Sequence, residues 1–191
     1  MIHPERSGPS EQRGFPIARE GYPLIIGWTF VTAPEEEGAV VSPADGKVLL
    51  VDVVQENEFA AEKMLKVSIF MSVFNVHVNR MPENGRVTDI VYYPGKFFSA
   101  NLDKASVDNE RNAVTMEISG GRKLIVVQVA GLIARRIICK IRKGDLLRRG
   151  ERFGIICFGS RLDLYLPADT VPAVSPGDKV LAGNSILGHL S

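Results

Sequence analysis

Long apolar runs are missing from this chain of 191 residues, and so is any strong excess of charge. A helix that crosses a bilayer needs about 20 apolar residues. The stretch from Tyr22 to Ala33 stops short of that and is read as an interfacial or core-packing segment. The polar start, MIHPERSGPSEQRGFPIAREGYP, has neither the apolar core nor the small-residue cleavage site of a signal peptide. Lys and Arg number 23 against 22 Asp and Glu, so the net charge of +1 gives no reason to expect nucleic acid as a partner. The pairs Arg135-Arg136 and Arg148-Arg149 are local and read as solvated strand or loop ends. Cysteine is scarce. Cys139 and Cys157 each sit in an apolar run, as reduced packing residues do, and no disulfide framework is expected. Three histidines without CxxC or HxxxH spacing argue against a metal site. Helical stripes of 3.6-residue period, internal repeats and low-complexity tracts are also absent.

What remains is a succession of β-branched runs separated by turn residues. AVVSPADGKVLLVDVVQ carries Asp45-Gly46 between two such runs, which predicts a hairpin. LKVSIFMSVFNVHVNR is long enough for one bent strand or two, and RVTDIVYYPGKFF, NAVTMEIS, KLIVVQVAGLIARRIICKI and ERFGIICFG are further strands. Gly120-Gly121 predicts a hairpin turn. Only FAAEKMLK and SANLDKASVDNE offer short helices. The class is mainly β with a few short helices (α+β), an antiparallel sandwich or barrel-like core ending in a lipoyl-like β segment. An N-terminal appendage over 1–36 is expected to precede a catalytic domain over 37–191.

The pair Gly159-Ser160, at the end of the strand-like ICFGSRLDLYLP, holds the most chemistry. Such a pair is commonly a turn. Its functional reading is a serine hydroxyl beside an approachable glycine carbonyl, which it attacks to move the acyl group from nitrogen to oxygen. A base must activate that hydroxyl, and Asp45 or His77 is the candidate. Asp45 taken alone is a turn former. His77 alternates with Val76 and Val78, so in a strand it faces away from them. Asp103-Lys104-Ala105 matches the lysine turn of carrier domains over three residues only, a weak signal for a lipoyl-like carrier modified at Lys104.

Several stretches, in order, resemble the short, archaeal-type form of the phosphatidylserine decarboxylase family. They are IAREGYP, VVSPADGKV, MSVFNVHVNRMP, GKFFSANLDKAS, NERN, QVAGLIARRI, GERFGIICFGSRLDLYLP and VSPGDKVLAGNSILG. Together they cover almost everything from Ile17 to Gly188.

The resemblance implies a proenzyme that cuts itself between Gly159 and Ser160, turning Ser160 into a covalent pyruvoyl group, with Asp45 supporting the cleavage. It implies decarboxylation of phosphatidylserine to phosphatidylethanolamine and CO2 through that group. His77 would act as the acid that protonates the carbon left behind, and Arg161, Lys96 and Arg80 would serve as cations for the lipid phosphate. No metal or diffusible cofactor is implied. Expected partners are a serine phospholipid, a membrane surface and the chain's own cleaved piece. The expected location is peripheral, on the cytoplasmic side of the cell membrane. Strand patterns leave the oligomeric state open, with a homodimer among the alternatives.

The chain departs from the family pattern in three places. Longer members carry a second histidine three residues after the first, where this chain has Arg80, which stays protonated and cannot be a base. The usual Leu-Gly-Ser-Thr is here FGSR. Only LIIGWTFVTAPEEEGAV stands between REGYP and SPADG, where relatives carry a longer apolar segment. Archaetidylserine as substrate would leave every residue role the same. An uncut serine hydrolase built on Asp45, His77 and Ser160 is the rival enzyme, although Ser160 lies in no GxSxG elbow.

Overall fold

The β-branched runs fold as strands whose alternate side chains serve two apolar faces. The computed structural model describes residues 31–55, 58–59, 61–101, 105–132, 136–157 and 159–191. In chain order the elements are β1 (Ala39–Val41), β2 (Gly46–Val54), β3 (Met64–Met71), β4 (Val78–Arg80), β5 (Gly85–Tyr93) and a single helical turn, α1 (Ala105–Asp108). There follow β6 (Arg111–Glu117), β7 (Lys123–Val129), β8 (Ile137–Cys139), β9 (Leu146–Leu147), β10 (Arg152–Ile156) and β11 (Ser160–Pro167). The last are β12 (Val171–Pro172), β13 (Lys179–Val180) and β14 (Ile186–His189).

One eight-stranded sheet, in the order β13-β2-β3-β11-β7-β6-β5-β9, curls into a half-barrel. Two three-stranded sheets, β1-β14-β12 and β4-β10-β8, make up the remaining strands among the described residues. Among the described residues every strand pair is antiparallel, as expected for the core.

β11 shows why the sheet holds. Its neighbours β3 and β7 pair with it on both edges. Leu162, Leu164 and Leu166 face the main core with Leu65, Val67 and Ile69 of β3 and Leu124 and Val126 of β7. Each such side chain contributes about 1.5–3 kcal/mol on burial. The alternate residues, Arg161, Asp163 and Tyr165, point to the opposite face, where Tyr165 joins Met64, Ile125, Val127 and Val129. There the Asp163 carboxylate accepts from Arg161 Nε at 2.6 Å and lies 3.3 Å from Lys66 Nζ, all three buried. Burial pushes the Tyr165 hydroxyl's pKa up, with Asp163 adding to the effect.

The structure corrects several sequence expectations. Asp45-Gly46 does not close a hairpin: β1 pairs with β14, while β2 pairs with β3 and β13. A turn dipeptide fixes a local reversal but not which strands then meet. FAAEKMLK does not form a helix over its described part, since Met64 already begins β3, where its side chain is buried. LKVSIFMSVFNVHVNR forms two strands, β3 and β4, around a tight turn. Arg149 is not solvated: its guanidinium pairs with buried Glu83 at 2.6 Å and donates to the carbonyls of Pro34 and Glu36. The Gly120-Gly121 turn does join β6 to β7, with the Ile118 N–H bonded to the Arg122 carbonyl at 2.9 Å. Most of the appendage (residues 1–30), Lys104, Arg135 and Phe158 lie outside the described residues.

Candidate active site

Ser160 opens β11 and is fully buried. Its cross-strand partner is Met71, the last residue of β3. The same register aligns Lys47 of β2, Phe70 of β3 and Arg161 of β11, so Gly46 and Asp45 continue toward the end of β3 where Ser160 sits. The chain turns beyond Met71 and comes back through His77 into β4. The His77 carbonyl accepts from Ile156 N–H at 3.2 Å. Sequence-distant Asp45, His77 and Ser160 are thus gathered around one strand end.

Each is held by identifiable bonds. The Asp45 carboxylate accepts from the Ala182 N–H at 2.7 Å. The loop carrying Asp45 is clamped further, since Ser42 accepts from Gly183 N–H at 2.7 Å and donates its own N–H to Ser185 at 2.8 Å. The C-terminal LAGNS stretch therefore holds the base candidate, a role its sequence does not announce. Burial lowers the pKa of His77, favouring the neutral imidazole; backbone groups of Val73, Ile156 and Ser72 and the Asp45 carboxylate pull the other way. The Ser160 hydroxyl lies 4.0 Å from the Met71 sulfur, which also takes a contact from Asn79 Nδ2 at 3.8 Å. A thioether is a weak acceptor, so the hydroxyl proton is not committed to a strong bond there.

Gly159 and Gly131 define the other side of Ser160. Gly159 has φ +65°, a left-handed conformation that costs glycine little and other residues more. Its carbonyl packs on Gly131: a Cβ added at Gly131 would lie 1.7 Å from the Gly159 oxygen and 2.8 Å from its carbon. No side chain fits there. Buried Asn109 fixes this neighbourhood by donating to the carbonyls of Ala130, at 2.7 Å, and Phe98, at 2.8 Å, and accepting from the Phe98 N–H at 2.9 Å. Behind Ser160, three buried amides form a row: Asn112 donates to Gln128 at 3.0 Å and Gln128 to Asn79 at 2.8 Å. Sequence reasoning missed Gly131, Asn109 and this row. The stretches NERN and QVAG were visible, but the contacts that give them a role were not.

The three cations expected at the phosphate are dispersed. Arg161 faces away from Ser160 and is bonded to Asp163 and, at 2.8 Å, to Ser68. Arg80 is buried and donates to the Gly150 carbonyl at 2.8 Å, while its backbone N–H bonds to Pro43 at the edge of the Asp45 loop. Lys96 is exposed and bridges to Asn109, which places it near the Ala130–Gly131 segment. Cys139 and Cys157 are free thiols, and burial pushes Cys139 up in pKa. Among the described residues there is no His, Cys, Asp and Glu cluster able to hold a metal, and no helix long and apolar enough to cross a membrane.

A family model described as phosphatidylserine decarboxylase matches residues 31–188. A protein of Syntrophus aciditrophicus (strain SB) named phosphatidylserine decarboxylase proenzyme is 56% identical over 155 residues, which span 81% of this chain and 73% of that protein. Proteins of the same name from Geotalea uraniireducens (strain Rf4) and Geobacter metallireducens (strain ATCC 53774 / DSM 7210 / GS-15) are 45% and 54% identical. Each alignment covers 92% of this chain and 97% of the relative.

Proposed function

The chain belongs to the phosphatidylserine decarboxylase family, and from that premise we propose that it cleaves itself before Ser160 and decarboxylates phosphatidylserine to phosphatidylethanolamine. The observation that carries the reading is the packing of the Gly159 carbonyl on Gly131, beside a buried Ser160 and within the surroundings of His77 and Asp45.

In the self-cleavage, His77 or Asp45 takes the proton of the Ser160 hydroxyl while its oxygen attacks the Gly159 carbonyl carbon. The C–N bond breaks and an ester forms to the Ser160 oxygen, with the amine of residue 160 released. Loss of the Ser160 α-proton then expels the Gly159 carboxylate and leaves an unsaturated residue. Addition of water and loss of ammonia from that residue leave a pyruvoyl group at the start of the short chain. The neutral imidazole of His77 suits the base role. A left-handed Gly159 and a water-poor Ser160 suit a carbonyl presented to the hydroxyl without competing solvent.

The site fits such a group, because the start of β11 is enclosed and lies beside both a base and a weak acceptor. When bound there, a pyruvoyl group supplies a carbonyl that takes up the substrate amine and the electrons released with CO2. His77 holds the proton that returns to the carbon, typically worth about 100- to 10,000-fold in rate. Lys96 stands on the exposed side to meet the lipid phosphate. The enzyme works peripherally, at a membrane surface where its substrate resides.

Intact-mass spectrometry of the purified protein beside Ser160→Ala tests the first half. Two fragments meeting at Gly159/Ser160, with the variant uncut, are expected. One uncut chain in both samples would sink the reading and favour the hydrolase. Release of CO2 from phosphatidylserine by the mature protein tests the second half.

A further inference from the structure

The turn that follows β3 carries a large apolar side chain into water. Phe74 is 95% exposed and Val73 40% exposed. The turn is not slack: Asn75 Oδ1 accepts from both the N–H and the hydroxyl of Ser72, each at 2.8 Å, and Asn75 N–H bonds back to the Ser72 carbonyl at 3.1 Å. A tight turn therefore holds the phenyl ring outward. Val73 reaches within 4.0 Å of the space beside the Gly159 Cα, so this turn abuts the cleavage site. On the other side Gly131 packs on Gly159, and the next residue, Leu132, is 55% exposed. Two apolar tips from separate loops thus flank Ser160.

The segments that carry these tips hold charge of one sign. No acidic residue occurs from Val67 to Pro82, nor from Val129 to Gly144, and the second stretch carries five Lys and Arg. Exposed Arg136 accepts at its carbonyl from the Cys157 N–H, two residues before Gly159. Apolar tips on basic segments match a surface of anionic headgroups over hydrocarbon.

We propose that the Ser72–Asn75 turn, with Phe74 at its tip and Leu132 and Arg136 beside it, is the face that docks on an anionic phospholipid bilayer. The inference rests on the lipid-substrate reading above and adds the surface through which the headgroup arrives. A lipid whose acyl chains stay in the bilayer reaches a buried Ser160 only if the site's own rim touches the membrane.

The test compares mature wild type with Phe74→Ser on phosphatidylcholine vesicles with and without phosphatidylserine, followed by sedimentation. Vesicle binding is expected to fall about tenfold, as losing one buried aromatic contact requires. KM for vesicular phosphatidylserine should rise in step, while self-cleavage and turnover of a water-soluble short-chain phosphatidylserine stay at wild-type levels. Unchanged vesicle binding overturns the proposal, and so does an equal loss on both substrates. Wild type that binds vesicles through Phe74 yet decarboxylates neither substrate supports the surface and sinks the substrate reading. As a second readout, Phe74→Trp in a Trp28→Phe background should shift its emission to the blue on adding the anionic vesicles. Emission already blue without vesicles would mean that another part of the chain covers the turn, and overturns the proposal.

Discussion

The carbonyl oxygen of Gly159 rests on the bare Cα of Gly131, where even a methyl group would intrude to 1.7 Å. The two residues are 28 positions apart in sequence, by subtraction of their numbers. Gly131→Ala must push that carbonyl aside, and a displacement of about 1 Å at a reacting centre can cost about 100-fold. Self-cleavage is expected to slow by about that factor, read as the fraction of uncut chain by intact mass over time. The urea midpoint of uncut Gly131→Ala/Ser160→Ala against Ser160→Ala separates misplacement from misfolding. Maturation of Gly131→Ala at the wild-type rate would count against the role.

Asp45 anchors the Ala182 N–H and, in the proposed cleavage, also supplies charge, and one substitution separates the two. Asp45→Asn keeps an oxygen to accept from the Ala182 N–H but loses the carboxylate charge beside His77. Self-cleavage should slow by about 100- to 10,000-fold with the thermal midpoint preserved. Asp45→Ala should lose both, because the Ala182 N–H then has no side-chain acceptor.

His77 predicts how stability depends on pH. Burial lowers its pKa in the folded chain below 6.5, so the unfolded chain binds the proton more readily. The stability this contributes is complete above about pH 6.5 and is lost as pH falls from there toward the folded value. Urea midpoints of uncut Ser160→Ala should drop on going from about pH 7.5 to 5, and His77→Gln should flatten that slope. An unchanged slope would mean that His77 is not the titrating group.

On the opposite face of β11, Asp163 neutralises two buried cations, Arg161 and Lys66. Removing one partner of a buried pair strands the others at a cost of about 3–5 kcal/mol. Asp163→Ala in the uncut Ser160→Ala background should lose about that much in urea unfolding. An Arg161 that served the lipid phosphate would instead show itself as a raised KM in Arg161→Lys with stability retained.

The strands were legible because β-branched runs and the period-two pattern act locally. Ser160, His77 and Asp45 stood out as candidates because their residue types and motifs announce chemistry. The pairing of β1 with β14 was not, since the Asp45-Gly46 turn carries no information about a partner nearly 150 residues away. Gly131 was invisible for a related reason: a glycine's value lies in what approaches it. Arg161 looked like a ligand beside Ser160, yet alternation along β11 sends the two neighbours to opposite faces. Arg149 looked like a solvated charge until Glu83 and the carbonyls of residues 34 and 36 were brought to it by the fold.

The placement of Ser160 in mid-sheet makes the proposed chemistry a report on folding. Residues 45, 77, 131 and 159 come from four separate stretches and meet only when β11 has docked between β3 and β7. Under the proposed self-cleavage, a chain that has not finished this assembly has no means of making its own reactive carbonyl. Maturation by the proposed cut would work as an inspection step that cannot be undone: once the backbone is cut, a denatured molecule must reunite two polypeptides to regain the sheet. Active molecules would then be a record of chains that folded correctly once, on the first attempt, while still in one piece.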